Sequence, residues 1–123
     1  MKIGEAIATL DELKANTYTR SNKIAWLSRL DRMVAEQVLR HYVGNEEFKF
    51  DGYNDDTDPE TELLMPEPFA EAYIRYMAAQ IDLHNADYED YNNVVELFNE
   101  MYQDYKNWYN SNHTAVIATK YFH

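Results

Sequence analysis

The stretch from Gly44 to Glu71, GNEEFKFDGYNDDTDPETELLMPEPFAE, sits between segments of helical periodicity and has almost none of its own. Gly52 and prolines 59, 66 and 68 interrupt it, and from Glu46 to Glu67 it carries nine carboxylates against one lysine. A chain of 123 residues has no room to hide a segment of this size and polarity. The expectation is therefore helices on either side of an acidic connector that faces solvent or a partner. Phe48, Phe50, Leu63, Leu64 and Met65 are too apolar for a free coil, which predicts a loop pinned at a few anchors. The alternation Glu47-Phe48-Lys49-Phe50-Asp51 fits a short strand, which would need a partner, for instance from another subunit.

Before the connector, Ile3, Ile7, Leu10 and Leu13 mark one face of a helix over 3–14, ended by Asn16 and Thr17. Thr19 is placed to cap a second helix over 20–42, with Ile24, Leu27, Leu30, Val34 and Val38 on one stripe and Trp26 and Met33 beside it. Its polar face carries most of the basic residues, interrupted by Asp31 and Glu36. After the connector, Phe69, Tyr73, Met77 and Ile81, with Ala72 and Tyr76, predict a helix over 69–85. Asn85-Ala86-Asp87 breaks it, and Tyr91, Val94, Phe98, Met101, Tyr105 and Trp108 predict another over 88–109. So short a break makes these two an antiparallel pair. Thr114 to Phe122 is β-prone and is expected to be frayed, or to pair with 47–50 or a neighbouring copy. The fold class is all-α: about four helices in a small bundle with a long acidic loop and a short strand pairing at the C-terminus. Residues 1–113 form one domain containing the 44–68 loop, and 114–123 a tail.

Eleven Lys and Arg against 22 Asp and Glu give a formal charge of -11. Nucleic-acid binding is driven by phosphate neutralisation, so a general grip on DNA is disfavoured. The cations are unevenly placed: Arg20, Lys23, Arg29, Arg32 and Arg40 fall within one helix, and Lys49 is the only one from 41 to 74. A chain two-sided in charge suits head-to-tail contact between copies. It has no cysteine, no apolar run near the ~20 residues that span a bilayer, and an opening unlike a signal peptide, so a cytosolic product is expected. Eleven Tyr, five Phe and two Trp, mostly in the second half, suit a small core and wet interfaces alike.

Catalytic and metal signatures are weak. Asp51, Asp55, Asp56, Asp58, Glu60 and Glu62 are oxygen ligands of the kind calcium takes, but a loop begun at Asp51 puts Asp56 where an EF-hand needs glycine. A solvated or partner-facing acidic loop is the better reading. His41, His84, His113 and His123 fall in different segments without HExxH or Glu-x-x-His, and His84, near Asp82 and Asp87, reads as a helix-end residue. Gly4, Gly44 and Gly52 form no phosphate-binding loop. No cofactor, metal or catalytic residue is expected.

Asp58-Pro59-Glu60-Thr61-Glu62-Leu63-Leu64-Met65-Pro66-Glu67-Pro68-Phe69, then Tyr73-Ile74, Ala79-Gln80-Ile81-Asp82, Tyr91-Asn92-Asn93, Leu97-Phe98-Asn99 and Trp108-Tyr109-Asn110, resemble a family of small proteins. Lys23-Ile24-Ala25-Trp26-Leu27-Ser28 with Leu30-Asp31 matches as well. The family is that of the head-tail connector, or adaptor, proteins of tailed phages and prophages of Gram-positive bacteria, and the resemblance covers most of residues 5–113. The tail from Thr114 to His123 departs from the family's shorter, more polar end. The resemblance implies a non-enzymatic helical subunit of the virion's head-tail junction, made in the host cytoplasm. It would form a homo-oligomeric ring beneath the portal protein, joined to a neck or tail-completion protein, with DNA passing through unbound and no membrane involved.

The expected contact surface combines Arg29, Arg32 and Arg40 with Phe48, Phe50, Asp55, Asp56, Asp58, Leu63 and Leu64, plus Tyr102 and Tyr109 at the edge of the last helix. Two other readings stay open at this stage: a small regulatory protein that binds DNA or a host protein, and a metal-dependent hydrolase using the acidic loop.

Overall fold

The computed structural model describes residues 1–116, and among them the chain is an all-α bundle. Its helices are α1 (Ile3–Leu13), α2 (Arg20–Gln37), α3 (Glu71–His84) and α4 (Tyr88–Asn112), with a 3-10 turn at Leu39–His41. None is long and apolar enough to cross a membrane.

Helix α1 buries Ile3, Ala6, Ile7 and Leu10 but leaves Leu13 exposed. It has no side-chain cap at its N-terminus. The connector does that work: the Ile3 and Gly4 amides donate to the carbonyls of Thr61 (3.0 Å) and Pro59 (2.9 Å), satisfying donors that a helix start leaves open. Gly4 permits this approach, since a Cβ there would lie 3.3 Å from the Pro59 side chain. Lys2 and Glu62 form an antiparallel bridge, and Leu63 N donates to Met1 O at 2.9 Å.

Thr19 caps α2 as expected, its Oγ1 accepting from Asn22 N at 3.1 Å. Ile24, Leu27, Leu30, Val34 and Val38 are all buried. The helix stops at Gln37 instead of reaching residue 42, because Tyr42 turns to extended backbone and enters the core. Its ring meets Tyr109 at 4.9 Å and its hydroxyl donates to Asn110 at 3.0 Å. Tyr42 also bridges Ala115, and Val43 N donates to Thr114 O. The described start of the C-terminal segment thus pairs with residues 42 and 43, not with 47–50, and 47–51 is not a strand. The remainder of the expected terminal strand, 117–123, lies outside the described residues.

Helices α3 and α4 form the expected hairpin and share the most extensive helix contact. Ala86 takes a left-handed backbone (φ 58°) at the turn, and Asp87 N donates to Asp82 O at 2.8 Å. The face that α4 buries is Phe98, Tyr102, Tyr105 and Tyr109, spaced four, three and four. The expected stripe is therefore rotated: Trp108 is exposed, while Tyr102 and Tyr109 belong to the core and not to the surface. Large rings explain the rotation. Phe98 and Tyr102 stack at 5.6 Å, Tyr76 meets Phe98 at 5.3 Å, and Phe69 meets Tyr105 at 5.7 Å. Burying each such side chain contributes roughly 1.5–3 kcal/mol.

Candidate functional site

Position 31 falls on the same helical stripe as Leu27, Leu30, Val34 and Val38, so α2 carries a carboxylate into the core. Asp31 is fully buried. This corrects the expectation that it interrupts the polar face. Tyr73 Oη donates to it at 2.5 Å, Leu64 N at 3.1 Å, and Tyr53 Oη closes a third bond. Met65 N in turn donates to Tyr73 Oη at 2.7 Å. Burial raises the Asp31 pKa against the opposing pull of these donors, and raises those of Tyr53 and Tyr73, which stay protonated and donating. The connector is thus clamped to α2 at residues 53 and 64 and, through Tyr73, to α3 at residue 65.

The clamp positions the residues just before it. Tyr53 N donates to Ser28 Oγ at 3.0 Å, and Gly52, at φ 91°, lies so close to α2 that a Cβ would sit 3.1 Å from Arg32 Nη2. Arg32 spreads over the Phe50 ring, 5.5 Å from its centre, and Phe50 meets Tyr53 edge-on at 5.0 Å. Between α2 and the segment 47–50 this leaves an open groove of about 380 Å³, lined by Arg32, Ala35, Glu36, Arg40, Glu47, Phe48, Lys49 and Phe50.

The groove's electrostatics come from cations left over after internal pairing. Lys2 binds Glu60 (2.6 Å), Lys14 binds Asp82 (2.6 Å), Lys23 binds Asp11 (2.7 Å) and Arg75 binds Glu71 (3.0 Å). Lys23 is buried in this pair, so it too leaves the basic face expected of α2. Arg32, Arg40 and Lys49 have no ion pair among the described residues, although Glu36 and Glu47 share the lining. Phe48 remains exposed at the rim. The groove can hold an anionic, partly apolar surface.

Of the residues expected at an interface, the structure brings Arg32, Arg40, Phe48 and Phe50 together. Arg29 is exposed on α2 outside the groove lining. Asp55, Asp56 and Asp58 are exposed, Asp55 accepting from Ser21 Oγ at 2.8 Å and Asp58 from Glu60 N at 2.9 Å. Leu63 is buried and Leu64 half-buried against the core, so Leu63 is an internal anchor and no contact to neighbours. Tyr102 and Tyr109 are likewise excluded: their hydroxyls bond to Gln37 (3.1 Å) and Asn45 (2.8 Å), and burial pushes the Tyr102 pKa up to about 12. Lys49 and Glu47 were missed; their place in the chain beside Phe48 and Phe50 was the available signal.

The acids of the connector do not converge. Glu60 and Glu62 reach back to Lys2 and the N-terminal amine. Among the described residues, Asp82, Asp87 and Asp90 bring one oxygen each within 4.8 Å of the others. Lys14 neutralises Asp82 there and Asp87 caps α4 through Asp90 N, so the cluster reads as a helix turn. His84 is in the last turn of α3 with Nδ1 at 2.7 Å from Gln80 O, a helix-end position as expected. No family model, curated protein or solved structure matches the chain.

Proposed function

We propose that this protein is a non-catalytic assembly subunit, working by contact between copies and with neighbouring components. The setting implied by its sequence resemblance is a ring in the neck of a tailed phage, joining the portal to the next head-tail component. The observation that carries the reading is the groove between α2 and 47–50. In a chain of charge -11, three cations have no ion-pair partner among the described residues and lie beside an exposed phenylalanine. Unpaired cations next to apolar surface favour a protein partner of opposite charge, and the chain's own acidic excess supplies one in every copy. A head-to-tail contact of this kind closes into a ring when its rotation permits.

The test is the sedimentation of the purified chain from micromolar to millimolar concentration at low salt, alone and with purified portal rings. Species heavier than the monomer are expected, and they should dissociate as salt is added. A chain that stays monomeric under all these conditions overturns the reading.

A further inference from the structure

Helix α4 buries one face so completely that its opposite face is fixed by the 3.6-residue repeat. On that outer face Glu96, Glu100 and Asp104 recur every four residues, all exposed and none ion-paired among the described residues. Exposed Leu97 and Trp108 lie along one side of this stripe. The stripe complements the groove, whose three cations outnumber its two carboxylates, Glu36 and Glu47: carboxylates with an apolar flank against a net cationic lining with an apolar rim. Glu96 to Asp104 spans about 12 Å along α4, while Arg32 and Arg40 line the groove from α2 and from the 3-10 turn that follows it.

We propose that the acidic stripe of α4 docks into the Arg32/Arg40 groove of a second copy. The inference rests on the assembly reading and names the two surfaces that meet. Charge complementarity selects the second copy as the occupant. Arg32 and Arg40 face Glu96, Glu100 and Asp104, and Phe48 covers the flank at Leu97. Groove and stripe are different surfaces, so the contact is heterologous and a pair keeps one free groove on one subunit and one free stripe on the other.

Two variants test this with the full chain. Variant A, R32E/R40E, loses the groove and keeps the stripe. Variant B, E96Q/E100Q/D104N, keeps the groove and neutralises the stripe without changing its shape. Every substituted side chain is exposed, and helical circular dichroism checks folding. At concentrations where the wild type associates, each variant alone should associate about tenfold or more weakly. Mixed, they should form a 1:1 pair that grows no further, since one intact stripe then meets one intact groove. A wild type that assembles while A and B each assemble equally well overturns the docking and leaves the assembly reading standing. So does a mixture that stays monomeric while the wild type assembles. A monomeric wild type overturns both.

Discussion

Asp31 and Asp82 are both buried carboxylates carried into the core by a helix, and they are satisfied by different means. Asp31 holds the connector through two tyrosine hydroxyls and a backbone amide, with no cation among the described residues. Asp82 holds α1 to α3 through the Lys14 ammonium on one oxygen, while its other oxygen, Oδ2, has no hydrogen-bond partner among the described residues. Lys14 keeps 30% of its side chain exposed, whereas the donors to Asp31 come from the interior and from the clamped loop. The contrast shows how a chain with half as many bases as acids distributes its positive charge. By meeting its most buried carboxylate with neutral donors, it leaves Arg29 and Arg32 of α2 without an ion pair among the described residues.

The contrast is broken most directly at Asp31. Asp31→Ala leaves two hydroxyls and the Leu64 amide without their buried acceptor, at a cost of about 3–5 kcal/mol in chemical denaturation. The connector should loosen first, seen as faster hydrogen exchange at the Leu64 and Met65 amides. Unchanged protection there would mean that Leu63 and Met65, as apolar anchors, order the loop unaided. Asp82→Asn should cost less, about 1–2 kcal/mol, because the Lys14 ammonium can withdraw to water along its flexible stem. A loss as large as that at Asp31 would show that Lys14 is held in place and that the two sites are alike.

These two sites also mark where sequence reading succeeds and where it stops. Apolar spacing locates all four helices, and Thr19, Asn85 and Asp87 mark ends that the structure keeps. Arg32, Arg40, Phe48 and Phe50, which the structure gathers in one groove, stand out in the sequence as basic residues near α2 and aromatics in an acidic loop. Asp31 and Lys23 are not legible as interior groups. A polar residue on an apolar stripe reveals its direction only through its partners, and those of Asp31 lie 22, 33 and 42 residues away in the chain. Tyr102 and Tyr109 mislead for a related reason: with tyrosines so frequent along α4, two neighbouring stripes satisfy the same period, and packing against Tyr42, Phe69 and Tyr76 decides between them.

Acid titration compares the Asp31 clamp with an ion pair in the same molecule and gives the smallest effect. Burial raises the folded pKa of Asp31 above its ordinary 3.8, so as the pH falls the native state takes up this proton before the unfolded chain does. Its contribution to stability therefore grows on acidification through the raised pKa and levels off below the unfolded value. Asp11 behaves in the opposite way. The hydrogen bond from Lys23 lowers its folded pKa, so its contribution is present above the unfolded value and disappears as the pH falls through the depressed one. Denaturation of the wild type, Asp31→Asn and Asp11→Asn across pH 3 to 7 separates the two signs. The stability difference between the wild type and Asp31→Asn should move in the wild type's favour on acidification, and that between the wild type and Asp11→Asn should shrink. If the Asp31 difference shrinks instead, the three donors outweigh burial, and the clamp acts electrostatically like an ion pair despite having no cation.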